Sequence, residues 1–219
     1  MRETSIIDII SPIMVGPSSS HTAGAVRLGL LAKNIYHKTP EKVTFKLYNS
    51  YAKTGKGHGT DKGLLAGFLG LTVDDYRIKN IFNLDISKKF EYKFEYLEDF
   101  NRHPNAVDFI IEGDTNMTIS GDSIGAGEVI INSIDNFSVK LDGKYNTLLL
   151  VYKDIPRMIT KVTDLIPVNI ASLNCDRSAR GEVASMCIAL DGTLDGDIIK
   201  NIKAIPNIYV IRYIKKLES

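Results

Sequence analysis

The spacing of hydrophobic positions along the chain predicts which segments are helices and which are strands. Residues 22–36 carry apolar side chains at three- and four-residue intervals, which predicts a helix, and its small residues allow close packing against a neighbour. Residues 42–52 alternate apolar and polar positions, which predicts a strand. A short helix or packed segment is predicted at 3–10, and a short helix at 61–71. Further strands are predicted at 90–96, 106–112, 128–134 and 137–141.

The last third of the chain repeats a strand–helix–strand pattern twice. Strands are predicted at 147–152, 168–174, 183–190 and 208–213, and helices at 156–166 and 194–204. Asp154 is the expected cap of the first of these helices. This βαββαβ order is the ferredoxin-like arrangement, which serves many functions. The fold class is therefore α+β, with domains at 1–143 and 145–219 separated by the turn at Asp142–Gly143.

The segment at 16–24, GPSSSHTAG, combines a turn, three serines and a histidine in front of the first long helix. Its hydroxyl groups can cap the helix, and the free N–H groups of the first turn favour a small anion such as a carboxylate. His21 adds a proton carrier that works near neutral pH. The segment therefore predicts either a substrate site or a well-capped helix with a surface histidine.

A second loop is predicted at 54–61, TGKGHGTD, where three glycines in five positions let the backbone approach a ligand. It lacks the spacing of nucleotide-binding loops. His21, His58 and His103 all lie in predicted loops and could converge on one cleft, form a three-histidine metal site or stay scattered on the surface. A Ser–His hydrolase is not indicated, because adjacent Ser20 and His21 should not face each other.

Composition narrows the class of protein. The net charge is +1, and 44% of the 219 residues are hydrophobic, which fits a globular protein and gives no support for a nucleic-acid surface. The start of the chain lacks the features of a signal peptide and no apolar run reaches membrane-spanning length, so a cytoplasmic location is expected. Cys175 and Cys187 lie in apolar surroundings and are expected to be buried free thiols. Two thiolates are too few to hold an iron–sulfur cluster.

Four motifs occur in an order that resembles the bacterial iron–sulfur-dependent L-serine dehydratases, also called L-serine ammonia-lyases. They are GPSSSHTAG at 16–24, TGKGHGTD at 54–61, HPN at 103–105 and GDSIGAG at 121–127. The C-terminal third resembles an ACT domain, and the N-terminal part resembles the allosteric substrate-binding domain of some phosphoglycerate dehydrogenases. The length is similar to that of the β subunit of the two-chain form of the enzyme.

The resemblance implies that L-serine is converted to pyruvate and ammonia by this chain together with an α subunit. It also implies that the cysteine ligands of a [4Fe–4S] cluster are on that α subunit, with no metal ligand on this chain, and that this chain is inactive alone. An open iron of the cluster would then bind the departing hydroxide. The alternatives are a serine-sensing regulatory subunit, a phosphoglycerate-dehydrogenase-like regulatory fragment, or a free-standing metal hydrolase.

The resemblance also implies roles for individual residues. His21 is the expected acid/base group, with His58 second. The expected substrate-binding residues are Ser18, Ser19, Ser20, Thr22, Lys56, Gly57 and Asp61. In the ACT-like part, Asp154 and Asn169 match regulatory positions, while Arg157 replaces the glycine that many amino-acid-binding ACT domains have after the proline. That part is expected to bind an amino acid or to mediate self-association.

Overall fold

A computed structural model describes residues 14–135 and 137–217. The chain divides into two compact units, Met1–Asn132 and Ser133–Ser219, so the division comes earlier than the predicted turn at Asp142–Gly143. Both units combine helices with strands, which confirms the α+β prediction. The segment predicted at 3–10 lies outside the described residues. No helix in the described part of the chain is both long enough and apolar enough to cross a membrane.

The first unit opens with the helices that carry the serine–histidine motif. A π-helical turn, Ser19–Ala23, leads directly into α1, Gly24–Tyr36, where the hydrophobic spacing predicted a helix. After β1, Lys42–Tyr48, come α2, Asn49–His58, and α3, Thr60–Phe68.

The glycine-rich segment at 54–61 is mostly helical, so its prediction as a loop was wrong, as was the strand predicted beyond Tyr48. Only Gly59, in the left-handed region with φ +72°, interrupts the two helices. Tyr51 is fully buried, and the side chains of Leu47 and Tyr96 lie close to Gly55. These tertiary contacts keep α2 helical although its glycines have low helix propensity.

Four more strands follow in the first unit: β2, Glu91–Leu97; β3, Ala106–Glu112; β4, Met117–Gly125; and β5, Glu128–Ile134. With β1 they form one sheet in the order β2-β1-β3-β4-β5. Strand β1 is parallel to β2 and antiparallel to β3, and β3 is antiparallel to β4. Most of the GDSIGAG motif at 121–127 lies in β4, which continues to Gly125. Two 3₁₀ segments, Tyr76–Asn83 and Asp85–Lys89, connect α3 to β2.

Helices α1 and α3 pack at backbone contact distance. A Cβ atom on Gly67 would overlap the carbonyl of Val26, and one on Gly29 would overlap the carbonyl of Leu64. The small residues predicted to allow close packing therefore do so. His21 lies just before α1, and His58 lies just before α3. The packing of this helix pair therefore helps to position both histidines.

The second unit has the strand and helix order predicted for the last third of the chain. Its elements are β6, Phe137–Leu141; β7, Asn146–Lys153; α4, Met158–Thr163; β8, Ile170–Arg177; β9, Val183–Leu190; α5, Gly196–Lys203; and β10, Ile208–Ile214. Its four-stranded sheet follows the order β10-β7-β9-β8 with antiparallel neighbours. Leu148, Leu150 and Met186 are fully buried in its core, together with Val162 of α4 and Ile202 of α5.

Two expectations for single residues in this unit were wrong. Cys187 is a buried free thiol, but Cys175 is an exposed one because β8 is the edge strand of the sheet. Asp154 does not cap α4. Its Oδ2 instead accepts a hydrogen bond from the N–H of Gly181 at 3.0 Å, and the residue at the N-cap of α4 is Arg157.

Arg157 has left-handed backbone geometry, with φ +68° and ψ +10°. This conformation costs a residue with a Cβ atom about 1–2 kcal/mol, whereas glycine adopts it freely. We expect Arg157→Gly to raise the free energy of unfolding by about 1 kcal/mol, measured by urea titration. Arg180→Gly in the neighbouring loop is the control for loss of an arginine side chain. Destabilisation of the Arg157→Gly variant would mean that its side-chain contacts outweigh the backbone strain.

Candidate active site

The π-helical turn before α1 holds His21 in a shell of serine hydroxyls. Ser18 is the N-cap, and its Oγ accepts the His21 N–H at 3.2 Å, so the predicted capping is confirmed. The Oγ atoms of Ser18 and Ser20 lie 3.3 and 3.2 Å from Nδ1 of His21. The expectation that Ser20 and His21 would not face each other was therefore wrong. Ser19 is half-buried in the same turn.

The carbonyl of Ser20 is fixed from two directions. It accepts hydrogen bonds from the hydroxyl of Tyr51 at 2.9 Å and from Oγ of Ser123 at 2.9 Å, and both donors are completely buried. Burial raises the pKa of Tyr51, so its phenol stays protonated and remains a donor. Neither residue was predicted to act in the site. Ser123 could have been found from its GDSIGAG motif, but Tyr51 lay in a predicted strand with no signal of its own.

Two of the three histidines predicted in loops converge. The ring centroids of His21 and His58 are 5.2 Å apart, and Oγ1 of Thr22 donates to the carbonyl of His58 at 2.8 Å. This hydrogen bond ties the first motif to the second. His103 is engaged elsewhere, since its Nδ1 accepts the N–H of Asn105 at 3.1 Å.

The surroundings of His21 favour its neutral form. The residue is half-buried, and its Nε2 lies 3.3 Å from Oγ of Ser50 on α2. Burial in the first place, and then the positive charge that His58 can carry, hold the pKa of His21 below its ordinary value of 6.5. A neutral imidazole at pH 7 can accept a proton, so His21 is equipped to act as a general base.

Replacing His58 by glutamine should raise the pKa of His21. The cationic form of His21 then no longer meets a second positive charge, so protonation becomes easier and any activity that needs neutral His21 should be lost at a higher pH. The pKa can be followed by ¹⁵N NMR of the histidine side chains in the intact chain. His103→Gln, a change at a histidine bonded elsewhere, should leave the His21 titration in place. An unchanged or lower pKa in His58→Gln would contradict the assigned coupling.

Three of the other residues predicted to bind substrate line a pocket. Thr22, Lys56 and Gly57 line a pocket of about 180 Å³, which Lys62 and Lys79 also line. The three lysines give this lysine pocket a positive potential that favours a carboxylate or another anion.

Asp61, the remaining residue predicted to bind substrate, lies at the start of α3. It is buried, and its Oδ1 accepts the N–H of Lys62 at 2.8 Å in the first turn of α3. Burial raises the pKa of its carboxyl group, although hydrogen bonding and the nearby lysines oppose the shift. Asp61 therefore supports the local structure of the TGKGHGTD motif.

A larger pocket, of about 390 Å³, lies at the N-terminal end of α2. It is lined by four residues of α2 and by three residues of the turn that follows β2: Asn49, Ser50, Lys53, Thr54, Phe100, Arg102 and Pro104. Because Ser50 also contacts Nε2 of His21, this pocket leads to the histidine.

Comparisons with known proteins identify the family. The profile of the family described as "Serine dehydratase beta chain" matches residues 5–88, which include His21 and His58. The chain is 33% identical over 212 residues to "Probable L-serine dehydratase, beta chain" of Bacillus subtilis (strain 168), which covers 95% of this chain and 96% of that protein. It is 34% identical over 223 residues to "L-serine dehydratase, beta chain" of Peptoniphilus asaccharolyticus, covering 98% and 100% of the two chains. The chain belongs to the L-serine dehydratase β-chain family.

One relative is considerably longer than this chain. "L-serine dehydratase" of Helicobacter pylori (strain J99) is 33% identical over an alignment of 128 positions, which covers 49% of this chain and 28% of that protein. Most of the longer protein therefore lies outside the alignment with this chain.

The part of this β chain that the structure describes does not fit an iron–sulfur cluster. Among residues 14–135 and 137–217, no three histidine, cysteine, aspartate or glutamate side chains are grouped so that they could hold a metal ion. Burial raises the pKa of the Cys187 thiol to about 11, which opposes the thiolate form that a metal needs. Within the described residues, His21 and His58 are also a pair without the third ligand of a histidine metal site.

Proposed function

We propose that this β chain is the proton-transferring half of a two-chain, [4Fe–4S]-dependent L-serine dehydratase that converts L-serine to pyruvate and ammonia. The observation that carries the proposal is the convergence of His21 and His58, 5.2 Å apart, in a half-buried position where His21 is neutral near pH 7. The names of the relatives, which describe L-serine dehydratase β chains, support the substrate and the subunit role.

In the proposed reaction His21 removes the proton from the α-carbon of L-serine. The electron pair of the broken C–H bond forms a double bond to the β-carbon, from which the hydroxyl group leaves as hydroxide. The aminoacrylate product takes up a proton at its β-carbon and becomes an imine. Water then hydrolyses the imine to pyruvate and ammonia. His58 is the second acid/base candidate, because it lies beside His21 and can exchange protons with solvent as an exposed side chain.

We assign a separate role to each of the polar groups around His21. The hydroxyls of Ser18 and Ser20 lie against Nδ1 and so orient the imidazole. Thr22 donates a hydrogen bond to the carbonyl of His58 and also lines the lysine pocket. We assign the substrate carboxylate to this pocket, where Lys56 offers a positive charge and Gly57 an exposed backbone.

The cluster belongs to the partner in this proposal, because the described residues of the β chain do not fit it. Loss of hydroxide needs an electrophile, and this is the chemistry that the cluster supplies when it is bound to the α chain. We call His21, His58 and the lysine pocket the half-site of the β chain. This half-site is expected to be inactive without the α chain.

Co-expression with the cognate α chain under anaerobic conditions tests the proposal. The purified complex should release pyruvate from L-serine, and neither chain alone should do so. If the complex forms and holds its cluster but releases no pyruvate, the catalytic role is excluded. If the β chain then still binds L-serine, the regulatory alternative is favoured.

We further propose that the second unit is an ACT-type domain with the ferredoxin-like fold. Its element order and the sheet order β10-β7-β9-β8 support this assignment. The left-handed Arg157 occupies the position where glycine is common in amino-acid-binding members, and Asn169 lies just before β8. The exposed edge strand β8 is the expected site of self-association.

Titration of the ¹⁵N-labelled full chain with L-serine separates sensing from pure self-association. Shifts confined to the backbone amides of residues 154–170 would support an amino-acid site in the second unit. Shifts confined to residues 16–62 would place serine at the histidines only. A concentration-dependent change at β8 without L-serine would support self-association through that edge.

A further inference from the structure

One stretch of the first unit exposes three large apolar side chains. Tyr96 and Leu97 end strand β2 with 37% of each side chain exposed, and Phe100 follows with 91% exposed. A phenylalanine this exposed loses a favourable burial of its ring, and exposed aromatic side chains are typical anchors of protein interfaces. We call Tyr96, Leu97 and Phe100 the aromatic edge.

The turn that carries Phe100 is firmly held. Nδ2 of Asn49 donates to the carbonyl of Asp99 at 2.8 Å, and Oδ1 of Asn49 accepts the Asp99 N–H at 2.9 Å. On the other side of Phe100, Arg102 forms two hydrogen bonds with Asp108, at 2.7 and 3.2 Å. Phe100 is thus presented to solvent by an ordered turn, so little conformational freedom is lost when a partner covers it.

The aromatic edge runs alongside helix α2 and the half-site. Phe100 and Ser50 both line the 390 Å³ pocket, and Oγ of Ser50 lies 3.3 Å from Nε2 of His21. At the other end of α2, the ammonium group of Lys56 lies 5.3 Å from the ring centroid of Tyr96, and α2 ends at the exposed His58. A protein that covers the aromatic edge therefore also covers the surface beside His21 and His58.

We propose that the aromatic edge is the docking surface for the α chain, with Phe100 as its anchor. This inference rests on the proposed function, in which the α chain must bring an electrophile to the substrate beside His21. The longer Helicobacter pylori relative supports a partner of this kind, since the part matching this chain is only 28% of its length. An apolar surface on the α chain that receives the Phe100 ring is the expected complement.

The test compares two aromatic residues of the first unit with similar exposure. Phe100→Asp removes the proposed anchor, and Tyr76→Asp is the matched control because Tyr76 is 79% exposed but lies on the 3₁₀ segment before β2. Affinity for the cognate α chain is measured anaerobically by isothermal titration calorimetry. Phe100→Asp should raise the dissociation constant by about 30-fold or more, as loss of an interface anchor does, and Tyr76→Asp should leave it unchanged.

Each outcome distinguishes the docking surface from the catalytic proposal. If Phe100→Asp binds the α chain as tightly as the original chain, the docking surface is wrong even if the complex makes pyruvate. If it weakens binding but the unaltered complex makes no pyruvate, docking stands and the proposed function fails. Sedimentation of the β chain alone tests whether the aromatic edge instead binds a second copy of this chain. Self-association that Phe100→Asp abolishes, with α binding intact, would assign the surface to a second copy and overturn the proposal.

Discussion

Replacing His21 by alanine should lower the turnover of the reconstituted two-chain enzyme by about 10²–10⁴-fold, the usual contribution of a positioned general base. The loss follows from the geometry, because Ser18 and Ser20 lie against Nδ1, and burial together with the charge of His58 keeps the imidazole neutral. Pyruvate release from L-serine measures the effect, and iron content and affinity for the α chain should remain at the level of the original complex.

Two further variants separate proton transfer from positioning. His21→Gln keeps a side chain that can hydrogen-bond to the serine hydroxyls but cannot act as a base, so it should be nearly as inactive as alanine. His37→Asn changes an exposed histidine in the left-handed position after α1, which asparagine tolerates, and should retain full turnover. Near-normal turnover of His21→Ala would rule out the base role.

Replacing Gly67 by alanine should destabilise the first unit by about 2–3 kcal/mol, at the upper end of the usual range for overpacking. The added methyl group would overlap the carbonyl oxygen of Val26, and this obstacle is backbone that cannot rotate away. Helices α1 and α3 would have to separate. Because Thr22 before α1 bonds to His58 before α3, the histidine pair should separate as well. Urea unfolding measures the change in free energy.

Gly57→Ala is the matched control for the same chemical change. An added Cβ there meets nothing within 4 Å, and Gly57 lies in α2 without a positive φ. Alanine should therefore stabilise the helix by up to about 1 kcal/mol. Equal free energies of unfolding for the two variants would mean that α1 and α3 can move apart without loss, contrary to the close packing seen at Gly29 and Gly67.

Regular strands could be predicted from the sequence alone. The predicted bounds 106–112, 128–134 and 183–190 coincide with β3, β5 and β9. Alternation of apolar and polar residues is a local property, and the faces of a strand follow from it directly. Helix α2 could not be predicted in this way, because its glycines oppose a helix, whereas the burial of Tyr51 and the packing at Gly55 that favour it are tertiary contacts.

The sequence by itself determined the family motifs, their order, the paired roles expected of His21 and His58, and the capping of the first helix by a hydroxyl group. These depend on residue type and short spacing. Only the tertiary structure decided which histidines meet, which hydroxyls orient His21, and which side chains fix its turn. Tyr51 and Ser123 reach the Ser20 carbonyl from 31 and 103 residues away, and Thr22 reaches His58 across 36. Contacts at such separations follow from how helices and sheet pack, and no local pattern in the chain encodes them.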